Sequence, residues 1–325
     1  MKYIILVAFL IIVSESFADT HFSKQWALGN SGQVVSHDIG ELNVRSVKGV
    51  EGADLDWVKD IPSEEIKKKN IIVAVIDSGI DKNHPDLKGR IWFNEKLCKD
   101  LDEKEMVGKP CYGWNFLDAN HDISDDVGHG TFVSGVIAAG RNSIGIAGVT
   151  PENIKIMPLK VQKKALTSFV YKKKVVTNLV AEAIAFAIKN GADVINLSMG
   201  WPRMIHTKKV RFAIDQAIKA NIPVVAASGN NGKNIPIYPC SYKGVICVGA
   251  MSNTGKMASF SNYGHKVDLM APGEAIIGTY PLDIESRIFR VPGYEKKRGT
   301  SFAAPYVSAT LAMLKMTNPK LSLDE

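Results

Sequence analysis

Four side chains stand out by type and by setting. Asp77 closes the run Ile71-Ile72-Val73-Ala74-Val75-Ile76 and leads into Ser78-Gly79, and His129 sits in Gly128-His129-Gly130-Thr131. Asn230 sits in Ser228-Gly229-Asn230-Asn231-Gly232, and Ser301 in Gly299-Thr300-Ser301-Phe302. A carboxylate, an imidazole and a hydroxyl can form a proton relay in which the hydroxyl attacks a carbonyl and the imidazole takes its proton. An amide N–H donor can hold the oxyanion that develops. Each residue alone has a plainer use: Asp77 and Asn230 as turn formers, Ser301 as a helix cap, His129 as a structural histidine. Those uses lose ground once the surrounding elements are placed.

The run 71–76 is continuously apolar, the pattern of a strand buried on both faces of a parallel sheet. Similar strands are expected at Ile154–Val161, Asp193–Ser198, Ile222–Ser228, Val245–Ala250 and Val267–Met270. Helical spacing marks Gly130–Ala139, Asn178–Asn190, Lys208–Ala220 and the Ala-rich run after Ser301 through Val307, Leu311 and Leu314. This alternation predicts an α/β fold, a mostly parallel twisted sheet with helices on both faces. Open sheets of this kind bind ligands beyond the carboxyl ends of their strands. Asp77 and Asn230 follow strands at that rim. His129 and Ser301 open helices there, where unpaired N–H groups favour negative charge. Upstream, Phe22–Asn30 reads as an N-terminal arm, followed by a polar loop to Gly52 and short helical turns at Asp54–Lys59 and Ser63–Lys69. With no internal repeat or low-complexity linker, residues 19–325 read as one domain.

Of the 325 residues, 46% are hydrophobic, enough for a packed core, and the net charge of +7 is modest. Lysines cluster at 67–69, 163–164, 172–174, 208–209 and 296–297 without interleaved aromatics, so a solvated surface is expected and nucleic-acid binding is not. Residues 1–18 have the form of a secretory signal peptide: Lys2, an apolar stretch from Tyr3 to Val13, and Ser16-Phe17-Ala18 before Asp19. The stretch is too short for a membrane span, so an extracytoplasmic (secreted or periplasmic) protein is expected, without stable membrane insertion after cleavage. The four cysteines suit an oxidising compartment. Three pairings are possible, and sequence order suggests Cys98–Cys111 with Cys240–Cys247. No C-x-x-C or paired His spacing suggests zinc.

The chain order Asp, His, Ser is that of subtilisin, whereas α/β-hydrolases run Ser, Asp, His. The sequence resembles the subtilisin family (subtilases) of serine proteases in a series of stretches. These are Asp77-Ser78-Gly79-Ile80-Asp81, His84-Pro85-Asp86-Leu87, Gly128–Thr131, Asn142–Ile146, Asn196-Leu197-Ser198-Met199-Gly200, Ser228–Asn230, Ala258–Gly264 and Gly299–Pro305. They span about residues 71 to 315 in family order. The resemblance implies an endopeptidase, acting on protein or peptide substrates through an acyl-enzyme, with Ser301 as nucleophile, His129 as general base, Asp77 as its partner and Asn230 at the oxyanion. It also implies that Ser198, Met199 and Gly200 pair with substrate as an added strand, and that the pocket for the residue before the scissile bond is floored just upstream of Tyr238-Pro239, at Ile237. A structural calcium ion is implied, held by the Asn142 side chain and alternate carbonyls (Ile144, Ile146) with Asp86 and Gln25. Asp118-x-Asn120-x-Asp122 with Asp125 is a second candidate for a cation.

Phe22-Ser23-Lys24-Gln25-Trp26-Ala27-Leu28 resembles the mature N-terminus of kexin-like subtilases, placed so near the signal that an inhibitory prodomain is not expected. Only 24 residues follow Ser301, which suggests a short C-terminal flank. Phe302 stands where many subtilisins carry an oxidation-sensitive methionine, and the lysine-rich segment Gln162–Lys174 falls in the family's substrate-flanking loop. A monomer is expected. The alternative from another class is a catalytically silent binding protein on the same fold.

Overall fold

The computed structural model describes residues 19–40, 43–57, 65–66, 70–164, 169–205, 207–264 and 266–322. The signal-like segment and most of the turn expected at 63–69 lie outside the described residues. The strands, in chain order, are β1 (Val34–Gly40), β2 (Asn43–Lys48), β3 (Ile71–Asp77), β4 (Trp114–Asn115), β5 (Ile154–Lys160), β6 (Val194–Leu197) and β7 (Trp201–Pro202). They continue as β8 (Val224–Ala227), β9 (Ile237–Tyr238), β10 (Val245–Met251), β11 (Leu269–Pro272), β12 (Ile276–Thr279) and β13 (Tyr294–Lys297). The principal helices are α1 (His129–Ala138), α2 (Phe169–Lys189), α3 (Lys208–Lys219) and α4 (Thr300–Thr317).

The main sheet has seven strands in the order β11-β10-β8-β6-β3-β5-β4, and every pairing in it is parallel. After β3 the chain lays β4 and β5 on one side of that strand, then crosses to β6 on the other. Asp77 therefore ends the strand beside which the winding reverses, the position where such sheets open a crevice. The continuous apolar pattern of β3 has a direct cause. Val73 and Val75 pack with Phe132 and Ile137 of α1 and Ala303 and Ala304 of α4, while Ala74 and Ile76 pack with Ile184 of α2 and Ile214 of α3. Each buried Val, Ile or Phe side chain among them contributes about 1.5–3 kcal/mol, so the sheet fixes where the strand ends point. Among the described residues no helix is long and apolar enough to cross a membrane.

Two expectations for the N-terminal region are corrected. The polar stretch before Gly52 contains an antiparallel hairpin, with β1 paired to β2 from Val34↔Lys48 to Gly40↔Asn43. Only alternate residues, Val35 and His37, turn inward, so its hydrophobic signal was thin. His37 Nε2 lies 3.0 Å from Asn253 Oδ1 and anchors the hairpin. The turn expected from Asp54 is not helical through Trp57. The Asp54 carboxylate instead accepts from the N–H groups of Asn30 (2.7 Å) and Asp56 (2.7 Å), and Asp56 takes a positive φ of 51°. Disulfides join Cys98 to Cys111 and Cys240 to Cys247, the pairing that sequence order suggested.

Candidate active site

The Asp77 side chain is fully buried. Its two oxygens lie 2.8 and 2.9 Å from His129 Nδ1, and Oδ1 also accepts from Ser78 N–H at 2.7 Å. A carboxylate facing Nδ1 fixes the proton there and leaves Nε2 as the acceptor. Burial opposes the imidazolium, but the Asp77 charge outweighs it, helped by Asp125 and countered by Lys297, so His129 titrates above the ordinary histidine value of 6.5. The glycines on either side are steric requirements. A Cβ on Gly128 would fall 2.1 Å from the Tyr280 ring, and one on Gly130 would fall 2.1 Å from Gly79 O.

Asp125, named from the sequence as part of a second cation loop, has a different place. Its carboxylate accepts from Ser78 Oγ (2.8 Å), Val127 N (3.0 Å), Gly128 N (2.8 Å), Thr131 N (2.9 Å) and Thr131 Oγ1 (2.7 Å). It thus caps the helix that carries His129 and ties it to the residue after Asp77. The remaining members of that acidic loop are not gathered around a common point. Asp118 pairs with Lys163 Nζ at 2.7 Å, and Asp122 accepts from Ser124 N. Among the described residues no group of three His, Cys, Asp or Glu could hold a metal ion.

Ser301 is the second residue of α4. Around it the helix N-terminus uses its donors selectively: Gly299 N bonds Gly273 O, Thr300 N bonds Asn230 Oδ1 at 2.8 Å, and Phe302 N bonds Gly299 O. The Ser301 N–H has no protein acceptor among the described residues. Asn230 Oδ1 also accepts from Thr300 Oγ1 at 3.0 Å, which orients the amide so that its NH2 is the free end. That NH2 lies 3.4 Å from the point where a Cβ on Gly299 would stand. Two unengaged donors thus flank Ser301. The Phe302 ring spans from Phe132 (centroids 4.5 Å) to the His129 imidazole (5.2 Å), and so brings the start of α4 against the histidine. No hydrogen bond joins Ser301 Oγ to His129 in this state, and such contacts tighten on substrate binding.

Three polar residues not assigned roles from sequence fasten this geometry. Asn196 Nδ2 donates to Ser198 Oγ (2.9 Å), Ser198 Oγ donates to Ser301 O (2.7 Å), and Ser308 Oγ donates to Asn196 Oδ1 (2.9 Å). The Ser198 side chain therefore pins the start of α4 to the end of β6 and leaves its own backbone, with that of Met199 and Gly200, as the part not spent on this tie. Asn262 bonds both ways around 228–233, donating to Ser228 O and accepting from Asn231 N and Lys233 N. Asn196 and Asn262 lie within the motifs and Ser308 just beyond the last of them, but their partners lie far away in sequence.

Ile237 is buried, and its side chain stands between Gly200 and Gly229. A Cβ on Gly200 would meet Ile237 Cγ2 at 2.5 Å, and one on Gly229 would meet Cγ1 at 3.0 Å. Antiparallel pairing of β7 with β9, Pro202↔Ile237, holds it there.

Gln25, Asp86, Asn142, Ile144 and Ile146 do come together. Thr20 Oγ1 and His21 N bond the carbonyls of Ser143 and Gly145, whereas the carbonyls of Ile144 and Ile146 accept no hydrogen bond among the described residues. Asp86 Oδ2 accepts from Ile146 N at 3.0 Å, but the buried Oδ1 has no partner. Burial pushes the Asp86 carboxyl up to about 6, against the pull of its bonds to Ile146, Tyr294 and Asn142. Gln25 clamps Ala147 in both directions at 2.8 Å, and its carbonyl oxygen keeps a second lone pair. An orphaned carboxylate oxygen and alternate free carbonyls form the oxygen-only donor set that a hard cation takes.

A family model described as the Subtilase family matches residues 68–325. The chain is 35% identical to the major intracellular serine protease of Bacillus subtilis (strain 168) over 283 residues, covering 86% of this chain and 76% of the relative. It is 33% identical to subtilisin DY of Bacillus licheniformis over 278 residues, covering 84% and 87% respectively. Among solved structures it is similar to fervidolysin from Fervidobacterium pennivorans, a keratinolytic enzyme related to subtilisin. The TM-score is 0.65 and the identity 31%, over 80% of this chain and 38% of that one.

Proposed function

The chain belongs to the subtilase family of serine endopeptidases, and from that premise we propose that Asp77, His129 and Ser301 are its catalytic residues, with Asn230 at the oxyanion. The observation that carries this reading is the buried Asp77 carboxylate held on His129 Nδ1 at 2.8 Å, on the rim where α4 begins with Ser301.

Ser301 Oγ attacks the scissile carbonyl as His129 Nε2 takes its proton. Asp77 keeps the imidazole in the right tautomer and stabilises the imidazolium without itself being protonated. The carbonyl oxygen becomes an oxyanion between the Asn230 NH2 and the Ser301 N–H. His129 then returns the proton to the leaving amine, leaving an acyl-enzyme that water cleaves by the same relay run with water as nucleophile. The backbone of 198–200 receives the substrate as an added strand. Ile237, filling the space between Gly200 and Gly229, favours small or medium apolar residues before the cut.

Calcium fits the loop beneath α1: Asp86, the Asn142 side chain and the carbonyls of Ile144 and Ile146 would hold it, with Gln25 completing the set. When bound it supplies charge that neutralises the buried Asp86 and stiffens the loop. The two disulfides and the composition of residues 1–18 support a secreted or periplasmic protein.

Labelling with a fluorophosphonate, which needs an activated serine, and casein hydrolysis beside the Ser301→Ala variant test the reading. Labelling and turnover confined to the wild type are expected. Equal turnover by the two proteins would overturn it, and an unlabelled, inactive wild type would favour the silent binding protein.

A further inference from the structure

In the lysine-rich segment Gln162–Lys174, Lys163 is paired with Asp118, Lys160 just before it is paired with Asp126, and 165–168 lie outside the described residues. A positive charge without an ion pair among the described residues lies beside the triad. Lys297 ends β13, only three residues before the helix that carries Ser301. Its Nζ stands 4.8 Å from the centre of the Tyr280 ring. That ring packs directly on Gly128, the residue before His129, and its hydroxyl lies 3.4 Å from Val127 O. The ammonium is also close enough to His129 to weigh against the imidazolium.

The carboxylates near Lys297 do not neutralise it by contact. Asp125 is saturated by the donors that cap α1. Glu295 is buried, and its oxygens accept from the N–H groups of Arg287 (2.7 Å), Ile288 (3.2 Å), Phe289 (2.9 Å) and Lys296 (2.8 Å). That wrapping curls the segment 286–290 and leaves Arg287 exposed; burial depresses the Lys297 ammonium, and the Arg287 charge depresses it further. Among the described residues neither cation forms an ion pair. Beyond them opens a groove of about 1010 Å³, lined by Leu282, Ile284, Arg287 and Arg290, with the acids Asp283 and Glu285 also on its wall.

Chemistry decides which part of a substrate passes here. His129 must hand its proton to the leaving nitrogen, so the chain after the scissile bond departs past the histidine, on the side of Tyr280 and Lys297. The chain before the bond lies on the opposite side, along 198–200 and Ile237. We propose that Lys297, with Arg287 beside it, selects acidic side chains immediately after the scissile bond. This deepens the endopeptidase reading and rests on it. Asp283 and Glu285 offset Arg290 farther along the groove, so the preference belongs to the first position and fades beyond it.

Quenched fluorescent peptides identical except for Asp, Ala or Lys immediately after the cut test the proposal, with kcat/KM measured at low and high salt. The wild type is expected to favour Asp over Lys by about fivefold at low salt, the size of a partly exposed charge pair, and less at high salt. Lys297→Gln should bring the ratio near unity, Lys297→Glu should reverse it, and Lys297→Arg should keep it. Melting temperatures and the Ala peptide check that each variant is folded and competent. An equal or inverted ratio in the wild type, or an unchanged ratio in Lys297→Gln, would overturn the assignment. Failure of the wild type to cut even the Ala peptide would instead overturn the endopeptidase reading, and this proposal with it.

Discussion

Replacing Ile237 by glycine probes the specificity pocket most directly. The side chain fills the space between the backbone of Gly200 and that of Gly229, with Cγ2 and Cγ1 at 2.5 and 3.0 Å from the points where β-carbons on those glycines would stand. A benzyl group entering the same slot would have to displace the Ile237 methyls or remain outside. Misfit by one methylene is worth about 1–3 kcal/mol, or roughly 10- to 200-fold in kcat/KM. Substrates with Ala, Val or Leu before the cut should therefore exceed those with Phe by at least that lower figure. In Ile237→Gly the Phe-to-Ala ratio should rise by ~10-fold or more. Emptying a buried site also costs about 2–5 kcal/mol of stability, so Ile237→Ala and a melting curve for each protein accompany the assay. Paired peptides ending in Ala and Phe at the cleaved bond give the ratio without need of absolute activity. If both variants keep the wild-type ratio while remaining folded, Ile237 is not the floor of the pocket.

Asn230→Ala should lower kcat by about 100- to 1000-fold with little change in KM, a magnitude known for such a donor in subtilisin itself; a loss confined to KM would refute the oxyanion role. Because neutral His129 is the base and its pKa lies above 6.5, kcat/KM should climb with a midpoint above that value. The same shift means that protonated His129 adds stability below 6.5 that is lost as pH rises through the folded-state value, and an activity midpoint at or below pH ~6 would contradict both. Calcium in excess should raise the melting temperature, since about 2.7 kcal/mol accrues at 100 times Kd. Asp86→Asn should blunt that response, and an identical curve in chelator would remove the site.

The chemistry was legible because each group announces itself locally. Asp77 ends a run apolar on both faces, and His129 and Ser301 open runs at helical spacing, so the strand ends and helix starts could be placed on one rim before any contact was known. The disulfides followed because each closes a short loop. Less legible were residues whose meaning lies in a distant partner. Asp125 looked like one acid among several in a polar loop, yet it caps the histidine's helix across Ser78 and Thr131. Asn196 and Ser308, separated by 112 positions, meet under the nucleophile. The hairpin β1–β2 escaped because a two-stranded ribbon with one buried edge residue in two carries little hydrophobic signal. Lys297 read as half of a surface lysine pair, since no sequence pattern shows that Glu295 is occupied by backbone donors.

The N-terminal arm is sewn to the loop over Asp86 by several bonds: Asp19 to Asn142 N and Ser143 N at 2.9 Å each, His21 N to Gly145 O, and Gln25 to Ala147. These bonds tie the exposed tip 142–144 to the first residues of the arm, whereas Ile146, Ala147 and the arm's Trp26, Ala27 and Leu28 are buried. The tip and the first residues of the arm can therefore open while those buried residues and the sheet stay in place, at a free-energy cost below that of global unfolding. For an enzyme that cuts extended backbone, a freed loop is a substrate supplied by its own neighbours. Shelf life in concentrated solution is then set by how often the arm lets go, and it should shorten with enzyme concentration even well below the melting temperature. Any change that tightens the arm's grip on residues 142–147 becomes a lever on autolysis, without touching the catalytic groups at all.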